Sequence, residues 1–134
     1  MKSLNFIFPT DLAKYYNQVL TILKPIPPFN SLRKQEIFIL GWLMYYYNKL
    51  KKTTDGEEAI NSLLFSIHRV DIISKLITDD EDGKGYEKAY TKFSNILVSL
   101  RKKGFILSVK NKDVLNKKFI LNPDTHRIEF NFKF

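Results

Sequence analysis

Three stretches of the chain repeat apolar residues at helical spacing. Over residues 11–24, Leu12, Tyr15, Tyr16, Val19, Ile22 and Leu23 recur every three or four positions and predict an amphipathic helix. Thr10 is placed to cap it, and Asp11 suits the positive end of its dipole. A second helix is predicted over 32–52, capped by Asn30 or Ser31. From Ile37 to Tyr47 it is apolar nearly all round, which predicts a central, buried position, and Lys49, Lys51 and Lys52 suit its negative end. Tyr45, Tyr46 and Tyr47 are consecutive and cannot all face one core, so at least one reaches the surface or a partner. The clearest helix covers 86–103, with Tyr86, Ala89, Tyr90, Phe93, Ile96, Leu97 and Leu100 inward and Gly104 following as a helix stop.

The segments between these helices read as shorter elements. Residues 57–64 and 70–77 are predicted short helices, the second with Ile72, Ile73, Leu76 and Ile77 inward, and 64–67 reads alternatively as a small strand. Pro25, Pro27 and Pro28 exclude helix and predict a stiff, extended connector. Beyond Gly104 the period changes from helical to alternating. Strands are expected over 105–109 and 114–121 around a polar turn at 110–113, and over 127–134. In the last strand Ile128, Phe130, Phe132 and Phe134 share one face, which predicts packing on the preceding hairpin or addition to a partner's sheet edge. Residues 4–8 form a short β-like run stopped by Pro9.

A chain of 134 residues suits one domain with a real core, divided here into 1–30 (strand, helix and Pro-rich connector packing on the core) and 31–134. Cysteine is absent, which excludes a disulfide framework, thiolate metal sites and a cysteine nucleophile. Nothing at the start has the pattern of a signal peptide, and the longest nearly apolar run has 11 residues against the roughly 20 needed to cross a bilayer. The expectation is a soluble protein with no membrane partner, cytoplasmic in whatever cell makes it. His68 and His126 are not at metal-ligand spacing, and neither a phosphate-binding glycine loop nor a nucleophile elbow is present. Asp80, Asp82 and Gly83 resemble a fragment of a calcium loop, but Lys84 stands where an oxygen ligand is needed. No enzyme activity, cofactor or metal is therefore expected.

The formal charge of +8 is unevenly distributed. Residues 1–54 carry eight Lys/Arg against two acids, 55–82 carry two against eight, and 83–118 carry ten against two. Alternation between blocks this strong predicts a surface with one basic and one acidic side, and so an oriented partner.

The segment Asn95-Ile-Leu-Val-Ser-Leu-Arg-Lys-Lys-Gly-Phe-Ile106 closes an amphipathic helix with a leucine, a basic pair, a glycine and an apolar pair. With the preceding long helix and the following hairpin, it resembles the winged helix, a helix-turn-helix variant, in a layout similar to MarR-like regulators. The resemblance covers about 75 residues. It implies an α+β fold: a three-helix core and a β-hairpin wing, here with an extra N-terminal helix and a C-terminal β-strand. The stretch from Pro28 to Ile37 and the Leu121-Asn-Pro turn are also similar to small winged-helix proteins of tailed phages, crAss-like phages among them. In phages such domains serve as DNA-binding regulators or as pieces of the virion, including rings between portal and tail.

On the third helix of such a fold, Lys88, Thr91, Lys92, Asn95, Ser99 and Lys102 point outward and carry groups that meet base edges and phosphates. The wing adds Lys110, Lys112, Lys117 and Lys118 to straddle a backbone. The leading expectation is a non-enzymatic DNA-binding protein, regulatory or replication-associated. Asp79, Asp80, Glu81 and Asp82 precede that helix and would repel phosphates. They support the alternative, a virion assembly subunit such as a head–tail connector or ring protein. There the acidic block of one copy in a homo-oligomer meets the basic helix of the next, and Phe130, Phe132 and Phe134 supply a further protein contact.

Overall fold

The computed structural model describes residues 2–7, 12–77, 83–120 and 127–132, with side chains described over 15–77 and 83–120. Strand β1 (Lys2–Ile7) leads to helix α1 (Leu12–Leu23). Four more helices follow: α2 (Lys34–Lys51), α3 (Glu57–Leu64), α4 (Ile67–Ser74) and α5 (Gly85–Lys102). Strands β2 (Ile106–Val109) and β3 (Lys112–Leu115) form an antiparallel hairpin, and β4 (Arg127–Phe132) comes last. The chain is α+β, mostly helical, with antiparallel two-stranded sheets.

The apolar stripes bury into one cluster. Tyr16, Val19, Leu20 and Leu23 of α1 meet Leu40, Leu43 and Met44 of α2, and the same cluster takes in Leu64, Ile72, Phe93, Leu100, Phe105 and Leu115. α1 therefore belongs to the core. It lies against α2 at Gly41, where a Cβ would stand 3.3 Å from the Asn17 backbone nitrogen, so glycine permits the close approach. Leu100 is completely buried, and truncating it to alanine is expected to cost about 2–5 kcal/mol.

Several expectations change. The stretch 64–67 is no strand: Leu64 ends α3 and Ile67 begins α4, which starts three residues earlier than its hydrophobic period suggests. Asn30 and Ser31 do not cap α2. They lie in a short 3₁₀ turn (Phe29–Ser31), and the Glu36 carboxylate instead accepts the backbone N–H of Arg33, the residue before the helix. The proline segment is a hydrogen-bonded turn, with Ile26 N donating to Leu23 O and Asn30 N to Ile26 O, rather than an extended rod. Tyr86, Tyr90 and Ile77 are not inward: Tyr86 and Tyr90 are 43% and 41% exposed, and the first turns of α5 bury Gly85 and Ala89 instead. Of the three tyrosines, Tyr46 and Tyr47 are buried and Tyr45 is half-buried.

The hairpin turn is tighter than expected. Val109 pairs with Lys112, so only Lys110 and Asn111 form the loop, at φ 51° and 65°. Two successive positive φ values make the primed turn whose twist suits a hairpin. The second strand consequently starts at Lys112 and stops at Leu115. Asn116 ends it: its backbone N–H donates to Phe105 O, its side-chain amide donates to Gly104 O, and its side-chain oxygen accepts from Lys118 N, opening a 3₁₀ turn over Lys117–Phe119. Gly104 sits at φ +85°, the conformation expected of the helix stop.

The last strand does not pack as a third strand on this hairpin. β4 pairs antiparallel with β1 along six residues, Lys2 opposite Phe132 and Ile7 opposite Arg127. A six-residue partner offers a longer ladder than the four-residue β3, which Asn116 terminates. The ladder joins the two ends of the chain across the division drawn at residue 30. Thr10, Asp11, the acidic residues 79–82, His126 and Phe134 lie outside the described residues. Among the described residues no helix is long and apolar enough to cross a membrane.

Candidate nucleic-acid interface

Helix α5 is amphipathic, and its buried stripe fixes what it shows outward. With Ala89, Phe93, Ile96, Leu97 and Leu100 in the core, the opposite side presents Lys84, Lys88, Thr91, Asn95 and Lys102, all exposed. Glu87 is the one acid within α5. Lys92 and Ser99 are half-buried on the flank that faces the start of α2.

On that flank lies a buried ionic junction. Glu36, 3% exposed, receives the Lys103 ammonium at 2.6 Å, the Ser99 hydroxyl and the Arg33 backbone N–H at 2.8 Å. Lys103 also donates to Ser31 O at 2.6 Å. Burial alone would push the Glu36 carboxyl up; the hydrogen bonds from Lys103, Ser99 and Arg33 outweigh it and hold the group below the ordinary range. The junction pins the C-terminal turns of α5 to the beginning of α2. Ser99 is thereby engaged with Glu36 and is not presented to a phosphate as the sequence suggests.

The hairpin is held to the helices by polar contacts of two kinds. Arg101 grips Asp113 with two bonds of 2.7 Å, and the carboxylate raises the guanidinium pKa. Asn61 of α3, 3% exposed, accepts the buried Leu115 N–H at 2.9 Å and donates to Glu57 O at 2.9 Å. Of the expected wing cations, Lys110, Lys112 and Lys118 are exposed around the hairpin. Lys117, also exposed, lies 3.2 Å from Glu57, whose carboxylate also accepts the Tyr47 hydroxyl at 2.6 Å. Lys110 and Lys112 face Glu57 and Glu58 across a cleft of about 470 Å³ between hairpin and α3.

A second flank of α5 carries features that periodicity alone does not distinguish from core. The Arg69 guanidinium of α4 sits 5.2 Å from the Tyr90 ring centroid. Elsewhere around α4, His68 stacks on Tyr46 at 4.6 Å, and Lys75 lies 4.1 Å from the Trp42 ring centroid. Burial lowers the His68 pKa and nearby Lys49 lowers it further, so the ring is neutral at pH 7. Phe130 and Phe132 lie in β4 opposite Leu4 and Lys2. Arg33 and Gln35, beside Lys92 and Asn95, are not predicted by the sequence pattern; they lie more than fifty residues before Lys92 in the chain. No family model matches the chain, and no match to it is found among curated proteins or solved structures.

Proposed function

We propose that this chain is a non-enzymatic DNA-binding protein of winged-helix type, acting in the cytoplasm as a regulator or in replication, with α5 as recognition helix and the β2–β3 hairpin as wing. The observation that carries the reading is the outward side of α5. Lys88, Thr91, Asn95 and Lys102 are exposed there, with Glu87 the one acid within the helix, and the hairpin adds exposed Lys110 and Lys112. An α-helix about 10–12 Å across fits the roughly 12 Å wide major groove. Lysines on its outward side then meet phosphates, and Asn95 meets a base edge. The ionic junction at Glu36 fixes α5 against α2, and the Arg101–Asp113 pair ties α5 to the hairpin.

The reading is tested by fluorescence anisotropy with duplex DNA across a salt series, comparing the natural chain with Lys88→Glu/Lys102→Glu. Binding that weakens with salt and disappears in the double variant supports it; binding indifferent to both charge reversals removes it. A second reading, a phage virion assembly subunit, rests on the β1–β4 ribbon, which no third strand joins among the described residues and whose edges suit strand addition. Mass photometry showing a closed ring, with no DNA binding, would favour that alternative.

A further inference from the structure

A cleft of about 240 Å³ lies between the start of α2 and the middle of α5, and its donors come from both elements. Arg33 and Gln35 stand on one wall, Lys92 and Asn95 on the other. None of these four side chains has a hydrogen-bond or ion-pair partner among the described residues. The only carboxylate in the lining, Glu36, is already compensated by Lys103 at 2.6 Å and by Ser99. Two cations therefore set the sign of the cleft, and the two neutral amides can donate without adding charge. The wall is fixed, because the Glu36 junction pins α2 to α5.

We propose that this cleft is a phosphodiester-binding site, in which Arg33 and Lys92 clamp one backbone phosphate of the strand running beside α5. This rests on the reading of α5 as the helix that enters the major groove. A helix seated there has a phosphate strand along each flank, and Lys92 lies on the flank of α5 that faces α2 rather than on its outermost line. Arg33 supplies a planar fork matched to phosphate oxygens, Lys92 a point charge, and the Gln35 and Asn95 amides the remaining donors. Such a clamp fixes register on the duplex and carries no sequence preference.

The test is the salt dependence of duplex binding for Arg33→Gln/Lys92→Gln. Removing one phosphate clamp lowers the slope of log affinity against log salt by about 1 and weakens binding alike on unrelated duplexes. The expected result is that reduction, with an unchanged thermal melt, and no competition from millimolar inorganic phosphate or a mononucleotide. If the natural chain binds duplex and the double variant keeps the full slope, the site falls while the DNA-binding reading stands. If the natural chain binds no duplex at any salt, both fall. If inorganic phosphate or the mononucleotide instead saturates the cleft at micromolar concentration, seen as shifts of the Gln35 and Asn95 side-chain amides by NMR, the pocket serves a small anion and the proposal is overturned.

Discussion

Replacing Glu36 by glutamine tests the junction that sets the pose of α5. The carboxylate is 3% exposed and accepts from Lys103, Ser99 and Arg33. Glutamine keeps the shape but offers one acceptor oxygen where the carboxylate offers two, so Ser99 must rotate to accept and Lys103 loses its counter-charge. Removing one partner of a fully buried pair costs about 3–5 kcal/mol. Here Lys103 is 21% exposed and retains Ser31 O, so part of its charge returns to water and the expected cost falls to about 2 kcal/mol. With an unfolding entropy of about 2.1 cal/mol/K per residue over 134 residues, that corresponds to a melting temperature lower by about 7 °C.

The effect has a pH signature. The folded-state pKa of Glu36 is depressed, so the carboxylate's contribution is fully present above the unfolded-state value near 4.5 and disappears as pH falls through the folded value. Calorimetric melts of both proteins should differ by a constant amount from pH 8 to pH 6 and converge below about pH 4.5. A difference under about 1 °C at pH 7, or one unchanged down to pH 3, would refute the junction as described.

Two further substitutions probe the hairpin. Asn61→Ala leaves the buried Leu115 N–H without its acceptor and is expected to destabilise by about 1–3 kcal/mol in urea titration, with a faster-exchanging Leu115 amide; an unchanged midpoint and exchange rate would refute this. A double-mutant cycle of Arg101→Ala and Asp113→Ala should give a coupling of only about 0.5–1 kcal/mol, because the two side chains are 39% and 22% exposed; a coupling near zero in low salt would mean the bidentate geometry does not hold the hairpin.

What the sequence makes legible is local. The stripe of α5, its end at Gly104 and the change to an alternating period beyond it all follow from neighbours within one or two turns, and the helix and hairpin lie there. Tyr86 and Tyr90 share the period of the core residues, yet Gly85 and Ala89 beside them are the buried ones; spacing does not tell which edge of a stripe a neighbour covers. The Lys110-Asn111 loop lacks the glycine that usually marks a primed turn, so the sequence suggests a longer loop than the chain forms; Asn111 is the residue type that tolerates positive φ. The partners of Glu36 lie 63 and 67 residues away, and a lone glutamate at the start of a helix reads simply as a dipole partner. The pairing of β1 with β4 spans nearly the whole chain. Alternation in Ile128, Phe130 and Phe132 announces a half-buried strand without saying what it pairs with.

The central claim is that the lysine side of α5, with the hairpin tip, engages nucleic acid. Its most direct test is the salt slope of duplex binding to the natural chain. Roughly four to six phosphate contacts predict a slope of about −4 to −5, a loss of roughly 10²–10³ in affinity between about 50 and 200 mM salt. Undetectable duplex binding at the low-salt end, or affinity that does not change over that range, would contradict it.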